Sequence, residues 1–372
     1  MLSVFCSPSR YTQGKNATAA LGVEMIGLGM SGPALIVSSR SPIRLLSKTW
    51  KSTLTEAGVA YVVHAFGGEC SLAEIERIKQ VANQHKSQVI IGAGGGKVLD
   101  AARAAAADLN LPCVNCPTVA SSDSPCSALS VIYSEDGVVQ GSRFHRKNAD
   151  LVLVDTQVIA QSPPRLLVAG MGDALATWFE AKTCVDGGIK NLRGGLSTQS
   201  ALALAKLCYQ ILLADGADAL RSVQTQVVTP ALERLVEAST LLSGIGFESS
   251  GLAAAHAIHN GLTMAKATHV YLHGEKVAFG LLTQLVLEGQ PRAVLHRVLS
   301  FATEVGLPIT LSDIGLAELP TDELQKIVIR ATDENDTIHN EPFAVRPDMV
   351  ADAIMAADAI GRAWRQDHRS QE

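Results

Sequence analysis

The segment IGAGGGKVLDAARAAA (residues 91–106) closes an apolar run and opens an alanine-rich helical pattern, with only a glycine cluster between them. A short strand that turns directly into a helix is the building unit of a parallel α/β sheet. Successive glycines let a backbone approach a pyrophosphate, and a helix N-terminus supplies free N–H groups and the positive end of a dipole. Lys97 adds a charge. The pattern GxxxxGK[ST] is not matched, and neither is strict GxGxxG, because Gly92, Gly94 and Lys97 fall at those places. The other reading of the same residues is a tight left-handed turn with no ligand.

Outward from this unit the alternation repeats. Runs at 34–38 (ALIVS), 60–66 (AYVVHAF), 88–92 (QVIIG), 112–116 (PCVNC) and 151–155 (LVLVD) read as strands. Stretches 42–57, 71–86 and 97–109 between the early ones read as helices. SALSVIYSEDGVVQGS (127–142) reads as a hairpin turning at Asp136-Gly137. After Asp155 strands cease. QSPPR (161–165) suits a helix start with Ser162 as N-cap, and 163–184, 197–214, 217–243, 246–266, 273–288, 321–333 and 347–365 carry helical spacing. The expectation is an α/β N-terminal domain with a Rossmann-like parallel sheet over 1–160 and an all-helical domain over 161–372.

The 372 residues are 47% apolar and 18% charged with a net charge of −5, which excludes wholesale disorder. No block of like charge offers a footprint for nucleic acid or an anionic membrane. The N-terminus lacks the basic-then-apolar order of a secretory signal, and runs such as GPALIVSS are too short to span a bilayer. Seven scattered cysteines fit a reducing cytosol better than a disulfide framework, so a cytoplasmic location is expected. Cys113 and Cys116 in LPCVNCP have no second pair to complete a zinc site and read as strand residues.

Polar residues in apolar surroundings point to the chemistry. Asp173 lies in VAGMGDALATWFEA, His256 and His259 in AAAHAIHNGL, and His273 in YLHGEKVAFG. A buried charge is costly unless it is paired or bound to a metal. A lone buried histidine usually finds a backbone carbonyl, but an aspartate with histidines on nearby helices suits a divalent cation. Three N/O ligands with one open position is the arrangement of a catalytic zinc. HExxH is absent, and spacing does not choose among the histidines, since His256 and His259 share a helical face.

The segments IGAGGGKVLDAA, PTVASSDSPCSALSVIY, NADLVLVDT, VAGMGDALATWFEA, FESSGLAAAHAIHNGLT, YLHGEKVAFGLLTQLVLE, GLPITL and TIHNEP cover nearly the whole chain in family order. They resemble the glycerol dehydrogenases of the metal-dependent (iron-containing-type, group III) alcohol dehydrogenase superfamily. The resemblance implies a dehydroquinate-synthase-like architecture, with the dinucleotide on the α/β domain and metal and substrate on the helical one. It implies Asp173, His256 and His273 as zinc ligands that also contact substrate. Thr177 stands where broader members place a further histidine ligand. Gly95, Gly96 and Lys97 match the pyrophosphate loop, and Thr118, Ser121, Ser127, Leu129 and Tyr133 match cofactor contacts. Asp123 matches a carboxylate for polyol hydroxyls and, with His256, forms the expected catalytic pair. Ser-Ser-Asp-Ser-Pro is also a good turn sequence on its own. His259 is expected behind a ligand, beside the nicotinamide, or simply packed.

Family members end the first strand with an acidic residue for the adenosine ribose; here Ser39 and then Arg40 occupy that place. NAD is the default, and NADP is admitted by the lost carboxylate and gained guanidinium, unless Arg40 only faces solvent.

The implied reaction is reversible oxidation of glycerol to dihydroxyacetone, or of a related vicinal diol to its hydroxyketone. The metal lowers the pKa of the substrate oxygen and hydride passes to the nicotinamide, in a cleft between the domains. Another diol, hydroxyketone or 2-hydroxy acid is the alternative substrate. A dehydroquinate-synthase-like lyase would need converging Lys/Arg near the metal, whereas Lys182, Lys266 and Lys276 form no cluster. A nucleotide-binding regulator would need a broken ligand set. A ring-like homo-octamer is also implied by the resemblance.

Overall fold

The computed structural model describes residues 1–369. The chain forms two compact units, one of Cys6–Pro163 with Arg221–Gly244, the other of Met1–Phe5, Pro164–Leu220 and the described residues from Ile245 onward. Relative to one boundary near 160, two short segments change sides. Val4 N donates to Leu196 O (2.9 Å), which ties the start of the chain to the helical unit. Glu233 accepts from Gln13 Nε2 (2.8 Å) and Thr156 Oγ1 (2.7 Å), which ties the later segment to the sheet unit.

The sheet unit contains strands β1 (Tyr11–Gly14), β2 (Ala34–Ser38), β3 (Tyr61–Ala65), β4 (Val89–Gly94), β5 (Cys113–Pro117) and β8 (Leu151–Asp155), in the order β1-β8-β5-β4-β2-β3. All neighbours are parallel. β6 (Leu129–Tyr133) and β7 (Val139–Phe144) form the separate antiparallel hairpin, with Gly137 at φ 81° in its turn. β1 was not legible in the sequence, because YTQG is a half-buried edge strand with no apolar run. The inner strands are buried throughout and mostly apolar, because both faces are covered. Ile36, Ile91, Cys116 and Leu153 pack on one side; Leu35, Val37, Ile90 and Cys113 pack on the other. Cys113 and Cys116 therefore lie on opposite sheet faces and cannot share an ion. Burial pushes both thiols up to about 12, so neither is a reactive thiolate.

Register aligns the C-terminal strand ends: Ser38 lies opposite Ala93, and Gly94 opposite Pro117. Ser39, Gly95 and Thr118 thus all leave the sheet at one edge, where open α/β sheets bind ligands.

The helical unit departs from the sequence reading at Ser162, Gly216 and Gly251. Ser162 caps nothing; its buried hydroxyl has no partner, and the helix begins at Pro164 (Pro164–Asp186). Helix Gln199–Gln224 runs through Gly216, where a break was expected. A Cβ there would come within 2.6 Å of the Phe301 ring, so this glycine serves packing. The break comes before Pro230 instead, with Thr229 Oγ1 accepting from Leu232 N (3.3 Å). Conversely, 246–266 is not one helix. Gly251 takes φ 119°, Ala253 leaves the helical region, and Ala254–Leu262 starts afresh.

By length and composition alone helix Gln199–Gln224 could cross a bilayer. Its Ala201, Ala205, Cys208 and Leu212 are fully buried against protein.

Candidate active site

Asp173 sits in the middle of the Pro164–Asp186 helix, His256 in the first turn of Ala254–Leu262, and His273 at the start of His273–Leu287. Glycines bring these helices together. A Cβ on Gly274 would overlap the Ala169 carbonyl oxygen, and one on Gly172 would overlap that of Gly274. Two helices therefore cross at backbone contact beside Asp173 and His273. Gly280 makes the same approach to the Ala255 carbonyl, one residue from His256.

The result is a triangle of donors. His273 Nε2 is 3.1 Å and His256 Nε2 3.5 Å from the same oxygen, Asp173 Oδ1. The three ligand atoms lie within 4.8 Å of one another. Tetrahedral zinc with bonds of about 2.0–2.1 Å needs its donors roughly 3.3 Å apart, so this set fits an ion of that size. Asp173 is fully buried while the His273 side chain is 42% exposed, which leaves one side of the triangle open. Thr177, one turn after Asp173, is also buried.

Burial opposes ionisation of Asp173, but the two imidazoles more than reverse it and hold its carboxyl far below the usual range. Burial likewise opposes charge on His256, and the Glu180 and Asp173 carboxylates overcome it and raise that imidazole. The centre is thus organised by negative charge and suits a cation.

Each imidazole is held from behind. His256 Nδ1 lies 2.6 Å from Glu180 Oε2, so its N–H donates there and, in the neutral ring, Nε2 turns its lone pair to the triangle. His273 Nδ1 lies 3.0 Å from His259 Nε2, and His259 Nδ1 lies 3.2 Å from Asn260 Oδ1. Asn260 Nδ2 then donates to Asp336 (3.0 Å), which pairs with Arg330 at 2.6 Å. His259 thus abuts His273 rather than joining the triangle. Burial, followed by the charges of His273 and Lys276, drives its imidazole well below the usual value, so it stays neutral and can accept. Glu180 was missed in the sequence although WFEA was quoted. It lies seven residues after Asp173, two turns along the same helical face, which is the signal that could have found it.

In the sheet unit, Gly95 is the N-cap of helix Gly96–Leu109 with φ −82°, so the loop is not a left-handed turn. Gly92 and Gly94 are closed in by Ala102 and Val98, whereas a Cβ on Gly95 or Gly96 would meet nothing nearer than 3.5 Å. Lys97 Nζ is engaged by Glu69 (2.6 Å) and lies 4.6 Å from the Tyr133 ring centroid. Ser39 is the extended N-cap of helix Arg40–Glu56, its side chain making no cap bond, and Arg40 is exposed.

The loop carrying Thr118, Ser121, Asp123, Ser127 and Leu129 is pinned from below by Arg103, which is 2% exposed. Arg103 donates to Leu129 O and Ser124 O and pairs with Asp100 (2.9 Å), while Asp100 accepts from Ser124 Oγ (2.9 Å) and Val131 N (3.0 Å). The Asp123 carboxylate is nearly buried and accepts from Ser243 Oγ (3.1 Å).

Comparison with known proteins fits this geometry. Residues 8–156 match the model of the iron-containing alcohol dehydrogenases. Over 97% of this chain and 98% of the relative, the sequence is 49% identical to the glycerol dehydrogenase of Thermotoga maritima. The chain belongs to the iron-containing alcohol dehydrogenase family. It is also 46% identical to the glycolaldehyde reductase of Halobacterium salinarum, over 98% of this chain and 100% of that one. The crystal structure of glycerol dehydrogenase from Schizosaccharomyces pombe superimposes with a TM-score of 0.94 at 36% identity, covering 99% of this chain and 93% of that one. The protein is accordingly an oxidoreductase of the alcohol dehydrogenase type. Of the lysines the lyase reading points to, Lys182 pairs with Asp186, while Lys276 is buried and acts electrostatically on His259.

Proposed function

We propose that this chain catalyses the reversible, metal-dependent oxidation of glycerol and related vicinal diols to hydroxyketones, with NAD or NADP as hydride acceptor. The observation that carries the reading is the convergence of Asp173, His256 and His273 on one point with an open side. In this reading those residues hold a divalent metal, and their two-nitrogen, one-oxygen set favours zinc. When bound, the metal polarises the alcohol oxygen as a Lewis acid, and the nicotinamide accepts hydride.

The protein's own groups do the positioning. Glu180 keeps the His256 Nε2 lone pair facing the metal, and His259 does the same for His273. Asp123, steadied by Ser243, accepts hydroxyl hydrogen bonds and so selects polyols. Gly95 and Gly96 leave room for a pyrophosphate at a helix N-terminus, for which Lys97 exchanges Glu69 as its partner. Thr118, Ser121, Ser127, Leu129 and Tyr133 line the rest of the cofactor path. Ser39 and Arg40, with no carboxylate in the first turn of their helix, admit a 2′-phosphate. We place the enzyme in the cytoplasm, consistent with seven cysteines of which none is in a disulfide, and as a homo-oligomer, the octamer of the resemblance.

The test is nicotinamide absorbance with metal supplied, on glycerol, dihydroxyacetone, 1,2-propanediol and glycolaldehyde, with NAD and NADP separately. Turnover on the diols supports the assignment, and its absence on every diol and carbonyl overturns it. The likeness to a glycolaldehyde reductase favours a second reading, reduction of a hydroxyaldehyde. A higher kcat/KM for glycolaldehyde than for dihydroxyacetone would select it.

A further inference from the structure

The helix that carries His256 has no cap of its own. Its N-cap is Ala253, and no side chain of the segment reaches the first-turn N–H groups. A helix start buried in this way leaves up to four donors to be satisfied from elsewhere. Three side chains from three other segments meet them. Glu180 Oε1 accepts from Ala253 N (2.9 Å) and His256 N (3.0 Å). Glu341 Oε1 accepts from Ala254 N (3.1 Å), and Gln284 Oε1 accepts from Ala255 N (2.8 Å). The same turn is held at its carbonyls, where Thr337 Oγ1 donates to Ala253 O (2.7 Å) and Asn340 Nδ2 to Leu252 O (2.7 Å).

We propose that Glu341 is a positioning residue for the metal centre, one of three acceptors that together fix the height and rotation of the turn bearing His256. It touches no metal ligand itself. Its effect passes through the Ala254 amide, two residues before His256.

Glu341 is suited to this because it is almost fully buried and its carboxyl faces that of Glu288 within hydrogen-bonding reach, so that one proton can be held between them. Burial, then the facing carboxylates of Glu288 and Glu180, raises Glu341 to about 9, so it is an uncharged carboxyl near neutrality. The Cys184 thiol and the His256 imidazole also act on this cluster, and burial with Glu180 and Glu341 raises the thiol. Glu288 is already occupied by Thr183 Oγ1 (2.7 Å), Gln284 Nε2 (2.7 Å) and Gln290 Nε2 (2.8 Å). A neutral acceptor beside Glu180 caps the helix without adding another charge next to the ligands. Glutamine is the isostere of that state.

The inference rests on the proposed metal site. Its test is the dissociation constant of Zn2+ for the metal-stripped full-length protein, measured by competition with a chromophoric chelator, and the visible spectrum of the Co2+ form. Glu341→Gln should bind Zn2+ within twofold of the unchanged protein and keep its Co2+ spectrum. Glu341→Asp keeps an acid but withdraws the acceptor from Ala254; it should bind at least fivefold more weakly with an altered spectrum. Glu341→Met should bind at least tenfold more weakly, and the aspartate variant serves if methionine does not fold. Wild-type affinity and spectrum in Glu341→Asp, or equal loss in Glu341→Gln, would overturn the proposal while leaving the metal centre intact. An unchanged protein that binds no Zn2+ would overturn both.

Discussion

Single residues decide whether the triangle of Asp173, His256 and His273 can hold an ion. Glu180 is the clearest case outside the triangle, since one carboxylate accepts from the His256 ring and from two backbone amides. In Glu180→Gln an amide N–H would face the ring N–H, so the ring must turn or change tautomer. We expect metal affinity to fall about 10- to 100-fold in a chelator titration, with little change in NAD binding. At the cofactor end, Ser39→Asp restores a carboxylate at the end of β2. The ratio of kcat/KM for NADP to that for NAD should drop at least tenfold, through charge repulsion of the 2′-phosphate; an unchanged ratio would mean that Ser39 does not face the ribose. The three residues of the triangle stood out in the sequence because each is polar in an apolar helix. Glu180 and Arg103 were less legible, because a charged residue in a helix is ordinarily solvated, and only the fold shows that both are buried.

Among elements, the helix crossings and the loop anchors carry the site. Gly274→Ala places a methyl against the Ala169 carbonyl, and neither backbone can yield without moving Asp173 or His273. We expect destabilisation of about 3 kcal/mol or more, seen as a lower denaturation midpoint, together with loss of stoichiometric metal. On the sheet side, Glu74 caps its own turn of structure: it accepts from Gly67 N (2.9 Å) and Arg77 Nε (2.7 Å) and meets His64 Nε2 (3.0 Å). Burial opposes its charge, yet these partners lower it from 4.5 to about 2. A depressed folded-state value means that the stabilisation is complete above about 4.5 and is lost as pH falls toward 2. Its size is on the order of 3 kcal/mol, so Glu74→Gln should flatten the acid limb of the stability curve over that window. Apart from β1 and the helix Leu21–Gly27, the strands and helices of the first half were readable because each has one period and clear punctuation. The restart at Ala254 was not, since ESSGLAAAHAIHNGL has helical spacing throughout and the break comes from Gly251 at positive φ with caps supplied by Glu180, Gln284 and Glu341.

Over the whole molecule, two kinds of chemistry are divided between two compact units: a sheet edge with an open glycine turn, and helices that enclose a cation-sized triangle. The α/β first part and the helical remainder were visible in the sequence as a change from alternating strands and helices to helices alone. The exchange of Met1–Phe5 and Arg221–Gly244 was not, because it depends on contacts such as Glu233 with Gln13 and Thr156. Binding of a metal to the folded state alone adds stability by mass action, about 2.7 kcal/mol at a hundredfold excess over the dissociation constant. Chelation should therefore lower the thermal midpoint of the unchanged protein, and leave that of Asp173→Asn where it was. The most direct test of the whole account is X-ray absorption at the zinc edge of the protein loaded with one equivalent of Zn2+. The account predicts a first shell of nitrogen and oxygen at about 2.0–2.1 Å with the outer-sphere pattern of two imidazoles, absent in Asp173→Asn. Sulfur scatterers near 2.3 Å, or a shell of water oxygens with no imidazole, would contradict it.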